Sequence, residues 1–452
     1  MKEKSFYLVS LGCAKNTVDS SSMAQILERD GFHPAASPLD AEVLIVNTCG
    51  FIEQAREESI KILKELASQK KSGQKLIAAG CYSQRDSSSL VSRVPEIDGV
   101  IGTRRWMDIL EVIRSIRQTD HPKTLYHLPE AHTMGENPPG ILSTHQQGTS
   151  SYLKIADGCR RPCAFCAIPL IKGTAVSRSR AEIISDARSL QDRGVREINL
   201  IAQDTTDYGS DLGLKDGLPN LLEDLIRAVP DVDWIRILYA YPGYISDRLI
   251  RVMADNPQIL PYIDLPLQHG DPGVLRRMKR PSNLDWVYKT IGKLREAMPD
   301  LALRSTFIVG FPGENDAEFQ SLLSFVEEIQ FDRVGVFTYS FEPGTAAEPL
   351  GDPVPESVKV ARKEELMVLQ QSISLARNQK LIGKKLDVLI EGQGEVEGSS
   401  EVISVGRSYR DAPEIDGMVI IEGQLPVGEI VPVEISGAMV YDLTAVPAVN
   451  FI

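Results

Sequence analysis

The chain has 452 residues, 42% of them hydrophobic and 25% charged, which is ordinary composition for a folded protein with room for two or three cored domains. Its formal net charge of −13 opposes broad adhesion to nucleic-acid phosphates, and six cysteines are too few for a disulfide scaffold. The opening MKEKSFYLVSLGC lacks the pattern of a secretory leader and no apolar run reaches membrane length, so a cytoplasmic protein without a membrane span is expected, as a monomer.

FYLVSL, VLIVNT and KLIAAG predict strands over residues 6–11, 43–48 and 75–80, with helices near 18–30 and 53–68 between them. That alternation predicts an open parallel α/β sheet over residues 4–120. Residues 121–144 lose apolar periodicity and gather Pro, Gly, Thr and His, so they are expected to form a linker. Over residues 145–378 the strand-like runs YLKIAD, REINLIA, WIRILY, YIDLPL, LRSTFIVG and RVGVFTY alternate with helical patterns such as DAEFQSLLSFVEEI. Six such units predict a partial (β/α) barrel, left by a charged helix near 356–380. Residues 381–448 turn to short β-type runs, KLDVLIEG, EVISVGRSY, MVIIEG and IVPVEISGAM, and predict a small antiparallel β-barrel. The fold class expected is therefore α/β multidomain.

Cys159, Cys163 and Cys166 stand in DGCRRPCAFCAIPLIKG as C-x3-C-x2-C, directly after the first barrel strand. A loop this short can wrap three thiolates round one corner of a cubane iron–sulfur cluster and leave the fourth iron open. Zinc is the alternative for soft thiolates, but it takes a fourth ligand, and the nearest downstream histidine is His269. The spacing, the aromatic Phe165 and the strand–helix alternation resemble the radical S-adenosylmethionine superfamily. The resemblance implies that S-adenosylmethionine chelates the open iron with Phe165 near its adenine, and that one electron cleaves it to a 5′-deoxyadenosyl radical. TFIVGFPGE, which contains Gly310, resembles the superfamily's strand end against the nucleoside; read alone, it is equally a strand followed by a Pro-Gly turn. Gln203 and Asp204 in LIAQDTTDYG, and LPLQHG ending near His269, fall at equivalent strand ends, where polar side chains face a barrel's mouth. Phe165, Gln203, Asp204 and Gly310 are the candidate cofactor-binding residues.

Cys13, Cys49 and Cys81 each follow a predicted parallel strand, which brings them to one sheet edge, where open α/β folds bind ligands. Unrelated burial of three lone cysteines is the alternative. LGCAKNTVDS, VNTCGFIEQAREESI and AAGCYSQR resemble the N-terminal domain of methylthiotransferases, a family that joins this domain to a radical barrel and a C-terminal TRAM domain, in order over nearly the whole chain. The resemblance implies a second, auxiliary 4Fe-4S cluster on Cys13, Cys49 and Cys81, whose open iron carries the sulfur to be transferred. One S-adenosylmethionine would then methylate that sulfur, and the radical from a second would activate the substrate carbon.

SLGCAKNTVDS is closer to the family branch that modifies the twelfth protein of the small ribosomal subunit, uS12, usually SLGCPKNLVDSE, than to the transfer-RNA branch, which begins TYGCQMN. Ala14, Thr17 and Ser21 depart from the usual Pro, Leu and Glu. Residues 381–452 hold 4 Lys/Arg against 12 Asp/Glu. An RNA-binding TRAM domain would expose a basic face, whereas an acidic one suits a basic ribosomal protein or simply aids solubility. The expected function is methylthiolation of the β-carbon of an aspartate in uS12, free or in the subunit, supported by a reducing electron donor such as flavodoxin or ferredoxin. Methylthiolation of a transfer-RNA adenosine, and an RNA- or ribosome-binding module with structural zinc, are the alternatives.

Overall fold

A computed structural model describes residues 4–118, 123–395 and 402–448. Residues 119–122, at the expected junction of first domain and linker, and 396–401, which include the first residue of EVISVGRSY, lie outside the described residues. Six parallel strands, β1 (Ser5–Ser10), β2 (His33–Pro34), β3 (Val43–Thr48), β4 (Lys75–Gly80), β5 (Gly99–Gly102) and β6 (Leu125–His127), form a first sheet in the order β2-β1-β3-β4-β5-β6. VLIVNT is buried at all six positions because helices cover both faces. Met23, Leu27, Val112 and Ile113 pack on one side, and Ile60, Leu63 and Leu90 on the other.

The expected linker is corrected by this sheet. Leu125–His127 pairs in parallel with β5, and Met134 and Ile141 are buried in the same core. A three-residue strand is too short to show a period, and the surrounding Pro and Gly masked it.

The second sheet begins with the hairpin β7 (Thr144–Gln147) and β8 (Ser150–Lys154). YLKIAD does not continue as one strand: β9 (Ala156–Asp157) turns aside to pair antiparallel with β10 (Val176–Ser177). Then follow β11 (Glu197–Ile201), β12 (Trp234–Ile237), β13 (Tyr262–Asp264), β14 (Ala302–Val309) and β15 (Arg333–Thr338). The runs β12-β11-β8-β7 and β13-β14-β15 are joined by a parallel bridge between Ile235 and Ile259. β8 and β15 are not paired, so the six parallel strands make a partial barrel, as expected.

The C-terminal strands β16 (Lys385–Glu395), β17 (Val402–Ser408), β18 (Val419–Glu422), β19 (Ile430–Ala438) and β20 (Leu443–Pro447) close into a barrel in the order β16-β17-β18-β20-β19. Closure makes β18 and β20 neighbours running the same way, so one pair departs from the antiparallel expectation.

This small barrel seals the amino-terminal ends of the larger one. Glu197, the first residue of β11, is fully buried between Arg236, at 2.9 Å, and Arg407 of β17, at 2.6 Å. Tyr262 at the start of β13 donates to Asp416 at 2.6 Å, Arg333 pairs with Asp411 at 2.6 Å, and Asp332 pairs with Arg410 at 2.5 Å. One apolar cluster runs from Ala14 and Val18 through Tyr152, Trp234 and Tyr262 to Leu389 and Ala412, fastening all three domains. The carboxyl ends of the strands are left for the site.

Candidate active site

Cys13 caps the helix Ala14–Arg29 just past β1, Cys49 follows β3 directly, and Cys81 opens the helix Cys81–Arg85 after β4. Because β1, β3 and β4 are neighbours, the three cysteines stand side by side on one edge. Gly12, at φ +91°, is where the first two strand ends close up: a Cβ there would lie 2.8 Å from Cys49 Sγ. Asn16 Nδ2 donates to the carbonyls of Leu11 at 2.7 Å and Asn47 at 3.0 Å, and Ser59 Oγ accepts the Cys49 N–H at 3.1 Å, so these ends are pinned. Burial pushes the Cys81 thiol up to about 12 and raises Cys49 as well.

The second trio lies on the loop between β9 and β10. Cys159 Sγ accepts the Arg161 backbone N–H at 3.4 Å, and Cys163 Sγ accepts from the Arg280 guanidinium at 3.5 Å with the Tyr241 hydroxyl at 3.8 Å. Burial pushes Cys159 up to about 11 and Cys166 up to about 12. The loop is braced from β11: Arg161 pairs with Asp204 at 2.6 Å and Asp207 at 3.2 Å, and Arg160 pairs with Asp207 at 2.7 Å. The Arg161 guanidinium also stacks on Tyr244, 3.6 Å from the ring centroid.

These surroundings fit iron–sulfur clusters. Donors aimed at sulfur stabilise metal-bound thiolate, and metal binding would overcome the raised thiol values by deprotonating the cysteines. Among the described residues, neither trio holds its three sulfurs within 4.8 Å of one another. Three thiolates on one tetrahedral zinc would sit about 3.8 Å apart given a Zn–S bond of about 2.3 Å, so the wider spacing suits a cubane.

Phe165 is half-buried against Val274, Met278, Phe311 and Tyr339, beside the second trio. Gln203 is also half-buried there, and its Oε1 has no hydrogen-bond partner; neither has Gln268 Oε1 at the next-but-one strand end. Asp204 is buried, which raises its carboxyl, and is occupied by Arg161 and by Thr206 Oγ1 at 2.5 Å. At Gly310 the Lys359 side chain fills the space a Cβ would take, so this glycine answers to the helix Glu356–Gln379. His269 is buried 3.3 Å from Glu314, whose carboxylate also accepts the Gly310 N–H at 2.9 Å and pairs with Arg362 at 2.8 Å, so it stabilises that turn.

The two trios belong to different domains, yet Cys81 packs directly on Ala167 and Ile171, next to Cys166. Around this seam lies a buried charge network that sequence reasoning missed. Lys154 pairs with Asp19 and, at 2.5 Å, with Asp157; Lys172 reaches Asp157 at 2.8 Å and Asp19 at 3.1 Å. Burial works to lower Lys172, but the two carboxylates raise it well above its ordinary value. Glu342, just past β15, accepts from Arg56 at 2.6 Å and Arg85 at 2.7 Å and ties the domains from another side. Apart from Lys154 with Asp157, three residues on, these pairs join residues far apart in sequence and have no local motif; the tyrosines of LYAYPG, just after a strand, were the one available signal.

Three family models match the chain: the uncharacterized protein family UPF0004 over residues 5–102, the radical SAM superfamily over 153–326 and the TRAM domain over 382–447. Similar proteins include the ribosomal protein uS12 methylthiotransferase RimO of Roseiflexus sp. (strain RS-1), 46% identical over 97% of this chain and 96% of that protein. The protein of the same name from Chloroflexus aurantiacus is 48% identical over 97% of this chain and 98% of its own length. Among solved structures, the radical S-adenosylmethionine methyltransferase TsrM from Kitasatospora setae, with cobalamin and a 4Fe-4S cluster bound, aligns with a TM-score of 0.57 at 14% identity, covering 76% of this chain and 77% of that one. The cobalamin-dependent radical enzyme OxsB aligns with a TM-score of 0.53 at 10% identity over 81% of this chain and 56% of that one. Both likenesses concern the fold.

Proposed function

Because the chain belongs to the ribosomal protein uS12 methylthiotransferase family, we propose that it adds a methylthio group to the β-carbon of an aspartate in uS12. It is a radical S-adenosylmethionine enzyme, using that cofactor and two 4Fe-4S clusters. Cys159, Cys163 and Cys166 hold the radical-generating cluster and Cys13, Cys49 and Cys81 the auxiliary one. The observation that carries this reading is the contact of Cys81 with Ala167 and Ile171, which brings two three-cysteine sets from separate domains to one seam. A reaction that must generate a carbon radical and then quench it with sulfur needs both within reach of one carbon.

When bound, the clusters and S-adenosylmethionine supply the radical and the methylthio group. The protein's own groups orient and insulate them. Arg280 and the Arg161 N–H stabilise thiolate on Cys163 and Cys159, while Asp204 and Asp207 hold the loop through Arg161 and Arg160. Gln203 and Gln268 offer unsatisfied amide oxygens to polar atoms of the cofactor, and Phe165 offers an apolar wall to its adenine. Asp204 joins the cofactor-binding set through the loop it holds, and Gly310, packed against Lys359, serves it only by shaping the strand end.

The relatives' names do not favour a transfer-RNA substrate or a zinc-holding RNA-binding module. A one-electron reductant such as flavodoxin or ferredoxin is part of the proposal, as is a cytoplasmic site of action; among the described residues, no helix is long and apolar enough to cross a membrane. Exposed Asp387, Glu422 and Glu434 support contact between the TRAM domain and basic uS12, whereas Asp411 and Asp416 are spent on internal pairs. Mass spectrometry of uS12 from cells with and without the chain tests the function. One methylthio group on an aspartate, present only with the chain, is the expected result; its absence from both would reject it.

A further inference from the structure

Three lysines are buried around the seam between the cysteine sets, and two of them are neutralised. Lys154 and Lys172 share Asp19 and Asp157, two positive charges against two negative. Lys15, only 7% exposed, belongs to none of the ion pairs among the described residues. Its ammonium lies 3.3 Å from the centroid of the Tyr239 ring. A buried cation with no carboxylate beside it is costly, and a ring quadrupole offsets only part of that cost.

Its position says what would complete it. Lys15 is two residues past Cys13, and Tyr239 stands two residues beyond the carboxyl end of β12, on the barrel that carries the other trio. Tyr239 is held at φ +61°, a conformation that non-glycine residues rarely adopt, with its N–H on Asp264 at 3.3 Å and Asp264 fixed by Arg304 at 3.0 Å. The ammonium is thus fixed where the two domains meet, two residues from Cys13 of one set and against Tyr239, which stands two residues before the Tyr241 whose hydroxyl lies 3.8 Å from Cys163 of the other.

We propose that Lys15, buried without a carboxylate partner between Cys13 and Tyr239, binds the side-chain carboxylate of the substrate aspartate and selects for an acidic residue. This rests on the function proposed above. In aspartate the carboxylate is bonded to the β-carbon, so a cation that fixes one places the other, and an uncharged side chain would leave the ammonium unpaired.

The test uses the full chain with both clusters assembled, wild type and the substitutions Lys15→Met and Lys15→Gln. Binding is titrated by fluorescence anisotropy against labelled uS12 and against uS12 with asparagine at the modified position. Wild type should prefer the aspartate form by about tenfold to a hundredfold, and both variants should lose that preference while retaining wild-type iron and sulfide content. If either variant keeps the preference, or loses iron so that Lys15 serves the auxiliary cluster, the inference is overturned although the function stands. Wild-type enzyme that cleaves S-adenosylmethionine but neither binds nor methylthiolates uS12 overturns the function, and the inference with it.

Discussion

Each cysteine set fails in its own way when a single residue is changed. Replacing Cys159, Cys163 or Cys166 by alanine should remove about four irons per chain and abolish 5′-deoxyadenosine formation. Replacing Cys13, Cys49 or Cys81 should remove a similar amount of iron while 5′-deoxyadenosine still forms and no methylthio product appears. Iron analysis and chromatography of the nucleoside distinguish the two patterns, and identical losses from both sets would sink the division of labour. Gly12→Ala tests the auxiliary edge more gently. Its left-handed backbone alone costs about 1–2 kcal/mol, and the new methyl meets Cys49 Sγ, so that variant should lose auxiliary iron and keep the barrel's. All six cysteines were legible because spacing or strand position marks them. Arg280 was not: its partner Cys163 lies 117 residues away, and only the folded chain brings them together.

At the scale of elements, the joint between β11, β12 and β17 is held by fully buried charges. Burial alone would raise the Glu197 carboxyl, but the guanidiniums of Arg407 and Arg236 outweigh it and hold the value down to about 2. The unfolded chain takes up that proton near the ordinary 4.5, so the joint's stabilisation is fully present above that pH and is lost as pH falls toward about 2. Acid unfolding followed by circular dichroism should show this loss in the wild type. Glu197→Gln leaves two buried guanidiniums short of an anion and should cost about 3–5 kcal/mol at neutral pH, measured by denaturant titration. A variant as stable as the wild type would show that the joint contributes little. The strands of this joint were readable from their apolar runs, whereas Leu125–His127 was not, since three residues in a Pro- and Gly-bearing stretch carry no period.

At the scale of the molecule, the three domains are one unit because the TRAM barrel closes the floor of the larger barrel. Ending the chain after residue 380 uncovers Trp234 and Tyr262, takes Asp411 from Arg333 and leaves Arg236 with Glu197 but without the Tyr409 carbonyl. The truncated protein should therefore aggregate or melt well below the full chain, and calorimetry of the full chain should show one transition. A separately melting TRAM domain, with a truncated enzyme of normal stability, would contradict this. The order of the three domains was legible from the sequence; their mutual closure was not, because it depends on pairs such as Glu197 with Arg407, 210 residues apart.

The packing of Cys81 on Ala167 has an electrical consequence. Cys81 shares one buried cluster with Ala167, which is covalently joined to Cys166, so ligands of the two proposed clusters are near neighbours. Centres that close cannot be charged independently, any more than two adjacent carboxylates can titrate independently. An electron placed on one raises the cost of placing a second on the other, and the contact offers a short route for it to cross. Midpoint potentials measured on variants that keep a single cluster should therefore differ from those of the intact enzyme, with the two-cluster protein showing the wider separation between its steps.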